Sequence, residues 1–578
     1  MNNALKLTIA AVISASVITI SACAIKLPSQ PVLAETESNF FEKRSELINK
    51  YSLQDPTFSA LINEKQNGNT ANATYNSEYW RWRIDQYLYG QYVEFQPVYD
   101  AYTEGKKFIE IYNLPAENLS SNSKKTNHQP QLPKGFFTEN LPGNTYTGWH
   151  QLIGDTVYVT YQGHLTDPYV ASYNLRTDKW DGPYKAGHST LSKGERKIDS
   201  HGRPIIEVDN QGYIHIVFGG HGGEREDGLN PLSIDTPHAG GRMKHVVSSK
   251  PYDLSSFSEK NDITPFASYT KSYKMANGDI YFFTRAGTHK SPWLYYKMKN
   301  GSQTFEPPVT ITWPTPDHSD PITVHTHYIN PLKISDTEIA ITSLWHACNF
   351  KEIHDKTHYN RLNLYYMVLD TTDGSFYNAN KEKLTLPLTL QSSNQHTLAY
   401  NSEKAGETSF GTRPLILGDG KIAAAYEAKG EGYREWRMAI FDNGSWTHGH
   451  PMPGTKNRTL VDTDGKKVSK IFALEKLGKQ SDTAAVAYRN SKGESVFAIA
   501  KQRTNRSTKA DNLLNSQDWQ VDKTYFNVDK GKLLVKPVAN ETGEVKAIIV
   551  NVRKAGSQRL YLWHDGEFRA NNLVQQIN

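Results

Sequence analysis

Residues 209–220 read DNQGYIHIVFGG, a turn-forming cluster followed by a strand-like run and a pair of glycines. Alternating apolar residues bounded by Gly, Asn and Asp predict a β-strand that is entered from a tight turn. The same arrangement starts again at six other places, and a second strand rich in aromatic residues follows each time. The seven starts lie near Gly154, Gly212, Gly278, Asp336, Gly420, Asp482 and Gly543.

These starts recur about every sixty residues, and a period of that order is typical of a repeat architecture. Seven units of similar length favour a seven-bladed β-propeller over 145–578. Closing such a ring protects strand edges that would otherwise pair with other chains. An irregular β-sandwich with incidental repeats is the alternative.

The composition agrees with an all-β protein. The 578 residues include 11% aromatic residues, 40 Gly and 27 Pro but only 7 Met, which suits strands and turns better than a helical bundle. A net charge of +5 is too small for a chain of this length to indicate nucleic-acid binding. We expect a monomer without a nucleic-acid partner.

The N-terminal segment 23–144 has a different character from the repeats. Residues 40–51 and 80–99 look helical, and the Ser/Asn/Lys-rich stretch 116–132 looks like a linker. The sequence therefore predicts a small, partly helical segment ahead of the propeller.

Residues 1–22 resemble a secretory signal peptide. An apolar run from Leu7 to Ala22 follows Lys6, and the sequence Ile20-Ser21-Ala22-Cys23 resembles a bacterial lipobox. The lipobox predicts cleavage before Cys23 and lipidation of its thiol, whereas an ordinary signal would be cut after Ala34. In both cases the mature chain is exported, as an outer-membrane lipoprotein whose only membrane contact is its lipid or as a secreted protein.

Two residue pairs in blades two and three are candidates for a catalytic site. His201 precedes one strand and His221 follows the next, so a hairpin returns both to the same end. Tyr269 and Arg285 flank the corresponding hairpin of blade three. Arg285 interrupts the apolar run IYFFTRAG, where an unpaired charge would be costly. It therefore needs an anionic partner, either an internal carboxylate or an anion of the substrate.

This set of residue types suits β-elimination at a uronic acid. Such a reaction requires a cation for the carboxylate, a base for the C5 proton and an acid for the leaving O4. Arginine or charged histidine meets the first need, and neutral histidine or tyrosine meets the other two. A hydrolase would instead need two suitably spaced carboxylates, for which Glu207, Asp209 and Glu224 are the alternatives.

The frame D-x-H-x-x-P-x-I-x-V-D-x-x-G-x-I-H from Asp199, with His221 behind it, then Tyr269 and F-x-R-A-G around Arg285, resembles the propeller ulvan lyases of polysaccharide lyase families 24 and 25. The resemblance covers blades two and three well and the first 140 residues hardly at all.

The resemblance implies that the catalytic residues are His201, His221, Tyr269 and Arg285. Arg285 would bind the uronate carboxylate with help from histidine, and Tyr269 and one histidine would act as base and acid in an order left open. Relatives often carry Asn where this chain has Gly202, which predicts a less well oriented His201. We further expect substrate contacts from Tyr328, Arg203 and His289.

The resemblance also implies the substrate and the reaction. We expect an acidic, sulfated polysaccharide, with ulvan as the best single substrate, to be cleaved by the catalytic domain 145–578. The alternatives are a surface lipoprotein that binds glycans without cleaving them and a propeller glycoside hydrolase. No repeated S-x-D-x-G-x-T-W box of the sialidase type is present in the sequence.

Blade four contains a dense group of metal-ligand residue types. His346 and Cys348 lie two residues apart and would face the same side of a strand, and the loop after them carries His354 and His358. Imidazole and thiolate ligands favour Zn²⁺ over Ca²⁺ or Mg²⁺. The sequence therefore predicts a structural zinc site. The alternative is a buried free cysteine near unrelated loop histidines.

Overall fold

The structure is a computed structural model. The residues it describes are 30–55, 58–59, 62, 81, 84–85, 88–89, 92–104, 106, 132–138, 141–142, 147–163, 166–191, 199–232, 240–316, 323–349, 361–417, 420–451, 460–466, 468, 470–477, 481–503, 519–554 and 557–575. Residues 1–22, Cys23 and all of 116–132 except Leu132 lie outside them, so the signal, lipidation and linker stay predictions.

The chain divides into two compact units, of which the smaller combines 1–68 with 92–106. Its described part contains helix α1 (Gln30–Tyr51), a 3₁₀ turn (Val93–Phe95) and helix α2 (Gln96–Thr103). Phe40 of α1 stacks on Tyr102 of α2 with ring centroids 4.1 Å apart. Helical structure was predicted for 40–51, and the structure confirms it there. In the described parts of the chain, no helix has the length and apolarity that a membrane span requires.

The larger unit combines 69–91 with 107–578 and forms a seven-bladed β-propeller. The strands of the first three blades are, in blade one, β2 (Thr147–Ile153), β3 (Thr156–Gln162), β4 (Pro168–Asn174) and β5 (Lys179–Lys185); in blade two, β6 (Ile205–Val208), β7 (Ile214–Phe218), β8 (Lys244–Ser248) and β9 (Phe257–Lys260); in blade three, β10 (Ser268–Lys274), β11 (Ile280–Arg285), β12 (Trp293–Met298) and β13 (Val309–Thr312).

Blade four is the largest, and the last three blades complete the ring. Their strands are, in blade four, β14 (Thr315–Pro316), β15 (Thr323–Lys333), β16 (Glu338–Asn349), β17 (Arg361–Asp370), β18 (Phe376–Tyr377) and β19 (Leu398–Tyr400); in blade five, β20 (Thr408–Ile416), β21 (Ile422–Gly430), β22 (Tyr433–Asp442) and β23 (Ser445–Pro451); in blade six, β24 (Leu460–Val461), β25 (Lys470–Lys476), β26 (Thr483–Arg489), β27 (Glu494–Gln502) and β28 (Trp519–Asp529); in blade seven, β1 (Leu141–Pro142), β29 (Lys532–Ala539), β30 (Val545–Lys554), β31 (Ser557–His564) and β32 (Glu567–Phe568). Two short helices, α3 (Leu390–His396) and α4 (Asn572–Gln575), accompany blades four and seven.

The repeat in the sequence corresponds to two adjacent strands of each blade, and the seven-bladed prediction is confirmed. Each blade also has a strand before that pair which the repeat did not reveal. These preceding strands contact one another from blade to blade, β2 with β6, β6 with β10, β10 with β15 and β29 with β2. They therefore lie towards the centre of the ring.

Among the described residues, buried apolar clusters join most neighbouring sheets. One cluster packs Val217 of blade two against Phe282 of blade three, and another packs Phe283 of blade three against Ile341 of blade four. The two blades that carry the predicted catalytic residues are thus held together by a continuous core.

Strand β1 closes the ring, because it pairs with β31 in the last blade although it precedes blade one in the chain. Just before it, the Phe137 amide donates to the Leu560 carbonyl at 2.9 Å. The Phe137 side chain is fully buried and stacks on Trp180 of blade one at 4.7 Å. One short segment therefore connects blades seven and one.

We expect Phe137→Ala to lower the free energy of unfolding by about 3–5 kcal/mol, because it leaves a cavity where the ring closes. Urea denaturation followed by tryptophan fluorescence measures the change. Leu534→Ala is the control, since Leu534 is 43% exposed and its truncation is expected to cost much less. Equal losses in the two variants would contradict the role of Phe137 in closing the ring.

Candidate active site

The four residues predicted to be catalytic come together where blades two and three meet. His201 lies before β6 and His221 follows β7, and their rings stack with centroids 3.6 Å apart. Tyr269 is the second residue of β10, and its ring centroid lies 4.8 Å from that of His201. Arg285 ends β11, with its guanidinium carbon 4.8 Å from the centre of the Tyr269 ring. The return of both hairpins to one end of the sheets creates this cluster.

Asp199 holds both histidines. One carboxylate oxygen accepts the His201 backbone amide at 2.9 Å and also contacts His201 Nδ1, while the other lies 2.6 Å from His221 Nδ1. Burial opposes ionisation of Asp199, but the hydrogen bonds with His201 and His221 outweigh it, and its pKa lies far below the usual range. Asp199 is therefore an anion that fixes the orientation of both rings.

An ionised carboxylate can only accept hydrogen bonds, so each histidine carries its hydrogen on Nδ1. In a neutral ring the Nε2 atom then offers a lone pair. His221 Nε2 is buried and has no hydrogen-bond partner among the described residues. Burial lowers the pKa of His221 to about 4, against the effect of the Asp199 hydrogen bond, and the charge of Arg285 adds to the lowering. His221 is thus neutral at physiological pH, with its lone pair unused.

Gly202 lies where two backbone segments of blade two come close together. Its carbonyl accepts the Gly219 amide at 2.7 Å, and a Cβ on Gly202 would lie 2.3 Å from the Gly220 nitrogen. The two backbone segments can approach this closely because neither residue carries a side chain. Asp199 orients His201 in this chain. Whether His201 is less well oriented than in relatives with Asn at this position stays a prediction.

Tyr269 has a left-handed backbone conformation with φ of 61°. This conformation is uncommon for a bulky residue and costs on the order of 1–3 kcal/mol. It occurs at a β-bulge, where the pairing between β10 and β11 shifts after Ser268, and bulges redirect side chains. Burial, reinforced by the neighbouring Tyr328, raises the pKa of Tyr269 to about 12. The hydroxyl is therefore protonated at neutral pH.

Arg285 is fully buried. Its Nε donates to Ser268 Oγ at 3.1 Å and to the Gly287 carbonyl at 3.0 Å, and Nη1 donates to the Tyr328 hydroxyl at 3.0 Å. Its Nη2 has no hydrogen-bond partner among the described residues, and none of their carboxylates forms an ion pair with it. Of the two partners that the sequence left open, the internal carboxylate is thus missing from the described part of the chain.

Tyr328 links Arg285 to His289. Because the Tyr328 oxygen accepts from Arg285, its own hydrogen is available for His289 Nδ1, 3.3 Å away. Burial, followed by the positive charge of Arg285, lowers the pKa of His289 to about 2, so this ring is a neutral acceptor. Tyr328, Arg285 and His289 form a chain of hydrogen bonds beside the catalytic cluster.

A cavity of about 160 Å³ adjoins the cluster, and both Tyr269 and Tyr328 line it. Arg203, which was predicted to bind substrate, lines the same cavity, as do Trp293 and Arg361. The guanidinium carbon of Arg361 lies 4.0 Å from the centre of the Tyr328 ring. Arg203 and Tyr328 therefore share one cavity next to Tyr269.

The three acidic residues considered for a hydrolase are all buried and engaged elsewhere. Glu207 accepts from Ser272 Oγ at 2.6 Å, and Asp209 accepts the backbone amides of its own turn. Glu224 accepts the Gly241 amide at 2.7 Å. None of the three lines the cavity, so the site geometry does not favour hydrolysis.

The predicted zinc site is only partly described. His346 is buried in β16, and Cys348 follows two residues later on the same strand. His354, His358 and the side chain of Cys348 lie outside the described residues. Within the described chain, Asp199, His201 and His221 could hold a metal ion, since their ligand atoms lie within 4.8 Å of one another. The hydrogen bonds to Asp199 account for this closeness without an ion.

Asp199 and Arg361 belong to the site but were not predicted from the sequence. Asp199 stood two residues before His201 in the quoted frame, and this Asp-x-His spacing could have indicated a residue that orients the histidine. Arg361 begins β17 after the blade-four loop, and nothing in the sequence indicated where that loop returns.

Comparisons with known proteins agree with this fold. Residues 156–451 match a family model described as BNR repeat-containing family member. An ulvan lyase, PL25, of Pseudoalteromonas sp. (strain PLSV) is 35% identical over 56% of this chain and 70% of that protein. An ulvan lyase of Nonlabens ulvanivorans is 40% identical over 48% of this chain and 59% of that protein.

A solved structure of a PL25 ulvan lyase bound to -[GlcA(1-4)Rha3S]- superposes with a TM-score of 0.60 at 27% identity, over 76% of this chain and 98% of that one. The fold, the site and these similarities define the protein as a polysaccharide lyase. The chain belongs to the ulvan lyase family, PL25.

We expect His221 to remain neutral until the pH falls to about 4, since burial disfavours the charged ring. NMR titration of histidine-labelled protein measures this, with His221→Gln used to assign the signal. Arg285→Ala is expected to raise the pKa of His221, because the variant removes a nearby positive charge. A midpoint near the ordinary value of about 6.5 in the wild type would contradict the site geometry.

Proposed function

We propose that this lyase cleaves ulvan, an acidic and sulfated polysaccharide, by β-elimination at a uronate. The observation that carries the proposal is Arg285, a fully buried guanidinium without a carboxylate partner among the described residues. A buried charge is costly unless it is paired. A substrate carboxylate at Nη2 supplies the missing anion, and the reaction of a uronate lyase requires such a cation.

Arg285 acts on the carboxylate of the sugar that loses its C5 proton. Pairing with Arg285 withdraws negative charge from the carboxylate and stabilises the charge that develops there when the proton leaves. The hydrogen bonds to Ser268, Gly287 and Tyr328 hold the guanidinium in place before substrate arrives. His201, whose side chain is 26% exposed, assists in binding the substrate carboxylate.

His221 is the base that takes the C5 proton, and its unpartnered Nε2 lone pair supports this role. Asp199 stabilises the imidazolium that forms, as a carboxylate does for the histidine of a catalytic triad. The low pKa of His221 rises when a bound carboxylate offsets the charge of Arg285. Substrate binding therefore makes His221 a stronger base in the complex in which the C5 proton is removed.

Tyr269 is the acid. Electrons from the broken C5–H bond form the C4–C5 double bond, the C4–O4 bond breaks, and O4 receives the hydroxyl proton of Tyr269. Its raised pKa keeps that proton in place in the free enzyme. The left-handed backbone at the bulge sets the ring 4.8 Å from the His201 ring centroid and 4.8 Å from the guanidinium carbon of Arg285. Tyr328, Arg203 and His289 bind the neighbouring parts of the chain.

Export is proposed on the leader-like residues 1–22. Lipidation at Cys23 would anchor the protein to the outer membrane, and the absence of lipidation would leave it secreted. We also propose that Zn²⁺ is bound by His346 and Cys348 together with His354 and His358. The zinc would have a structural role in blade four, since His346 and Cys348 share one strand and no step of the elimination uses a metal.

We expect the purified protein to generate the ultraviolet absorbance of unsaturated uronate when incubated with ulvan. Arg285→Ala is expected to lower kcat/KM by at least about 100-fold, because it removes the charge that stabilises the developing carbanion. Arg285→Lys keeps the charge but lacks the planar guanidinium, so its kcat/KM should lie between those of the wild type and Arg285→Ala. Arg176→Ala, in an exposed arginine of blade one, serves as the matched control.

Each outcome of this assay has a definite meaning. If the wild type and Arg285→Ala melt at similar temperatures and are equally active, the lyase activity stands but Arg285 is not the carboxylate ligand. Reducing ends without absorbance would indicate a hydrolase. Neither signal, together with measurable ulvan binding, would favour the glycan-binding protein.

For the zinc site, we expect the purified wild-type protein to contain about one zinc per chain and Cys348→Ser to lose most of it, because thiolate is the strongest of the proposed ligands. Elemental analysis by mass spectrometry measures the content. His448→Ala, in an exposed histidine of blade five, is the control. Full retention of zinc in Cys348→Ser would reject this site.

A further inference from the structure

One face of blade five is less covered than the other. The face towards blade four is closed by a shared apolar cluster that includes Tyr426 and Ala439. On the opposite face the buried members of the cluster are Ala425 and Met438, and no cluster of the described residues combines blades five and six. Trp436 lies on this second face, since it precedes Met438 by two residues on β22, and it is 38% exposed. A large aromatic side chain is thus exposed on an open sheet face.

The Trp436 indole lies across its own sheet. It reaches from β22 over β21 to Gly411 of β20, where a Cβ would lie 2.8 Å from the nearest ring atom. Neighbouring strands are about 4.8 Å apart, so a side chain that spans two such intervals extends along the sheet and not away from it. Gly411 lies in the bulge of β20, and its missing side chain makes room for the ring. The outer face of the indole is therefore available to a flat apolar group.

A second aromatic ring and three basic side chains surround the indole. Together they form a surface that we call the blade-five platform, which consists of Phe410, Arg413, Lys429, Arg434 and Trp436. The guanidinium carbon of Arg413 lies 5.9 Å from the centre of the Trp436 ring. Lys429 Nζ and the guanidinium carbon of Arg434 each lie 5.6 Å from the centre of the Phe410 ring. Aromatic faces and positive charges thus alternate over the platform.

Two of the three cations have no anionic partner in the part of the chain that the structure describes. Arg434 is paired with Glu427, its Nε lying 2.6 Å from Oε1. Arg413 and Lys429 are exposed, and no described carboxylate forms an ion pair with either of them. The platform therefore suits a ligand that carries both negative groups and apolar ring faces. A polysaccharide rich in charged sugars has both.

The platform lies at the same end of the propeller as the active site. The bulge of β20 follows Ser409, just as the bulge of β10 follows Ser268. Phe410 therefore has the position in blade five that Tyr269 has in blade three. The Phe410 carbonyl also accepts a hydrogen bond from Arg361 Nη1 at 3.3 Å, and Arg361 lines the cavity of the active site. A long chain bound at the active site can thus continue onto the platform.

We propose that the blade-five platform is a second binding region for an anionic polysaccharide, in which a sugar ring stacks on Trp436 while Arg413 and Lys429 pair with its acidic groups. The inference rests on the proposed function, because the ligand is the polymer whose cleavage is proposed. The C–H groups on one face of a sugar ring fit the negative face of an indole. Attachment of one chain at two places raises the overall affinity above that of either place alone.

Affinity electrophoresis in native gels that contain ulvan polymer tests the platform. All samples are the full chain with His221→Gln, which prevents turnover under the proposed mechanism. Adding Trp436→Ala should raise the apparent Kd about 10-fold, the range for loss of a central Trp from an interface. Adding Arg413→Gln should raise it about 3-fold, since exposed ion pairs are weaker. Tyr252→Ala is the control and should leave the Kd unchanged, because Tyr252 is 53% exposed in the turn between β8 and β9.

An unchanged Kd in Trp436→Ala would overturn the platform, as would an equal loss of affinity in Tyr252→Ala. Arg413→Gln keeps the proposal testable if Trp436→Ala does not fold, since Arg413 is exposed and its replacement leaves no cavity. The result is separate from the lyase assay. Unsaturated product together with an unchanged Kd in both platform variants rejects the platform alone. A Kd that depends on Trp436 without any unsaturated product rejects the proposed reaction alone.

Discussion

The Asp199 carboxylate, shared between two stacked histidines, is the interaction on which the site depends. Without it, two imidazole rings 3.6 Å apart would be free to take either tautomer and to rotate. With it, both Nδ1 atoms are committed to one anion and both Nε2 atoms become available. The close glycine contact at Gly202 and the hairpins of blade two are the scaffold that holds this carboxylate.

Neighbouring blades contribute charges of opposite sign to the site. Blade two contributes the anion Asp199, while Arg285 of blade three and Arg361 of blade four supply buried or half-buried cations. His221 and His289 stay neutral, because burial and the nearby positive charge of Arg285 both oppose their protonation. The site therefore combines a prepared cation, an uncharged base and a protonated phenol within one cluster, and each state follows from its surroundings.

Much of this could be predicted from the sequence, and the exceptions have physical causes. The seven repeats were visible because turn residues and apolar alternation mark strands buried on both faces. The inner strands were missed because residues such as Lys271 and Lys274 of β10 are polar, and their pattern does not resemble a core strand. The hairpins brought the predicted pairs together by simple geometry. The bulge at Tyr269 and the return path to Arg361 depend on tertiary contacts, so local sequence did not indicate them.

Closure by β1 has a consequence for how the enzyme reaches its folded state. The Leu560 amide donates to Thr138 Oγ1 at 3.2 Å across 422 residues of chain. Contacts of such sequence separation form late and slow the folding of β-proteins. The ring therefore cannot close while the chain is still emerging from the ribosome. A fragment that lacks the last blade keeps every proposed catalytic residue yet leaves two open sheet edges, which makes it a substrate for proteases and for aggregation.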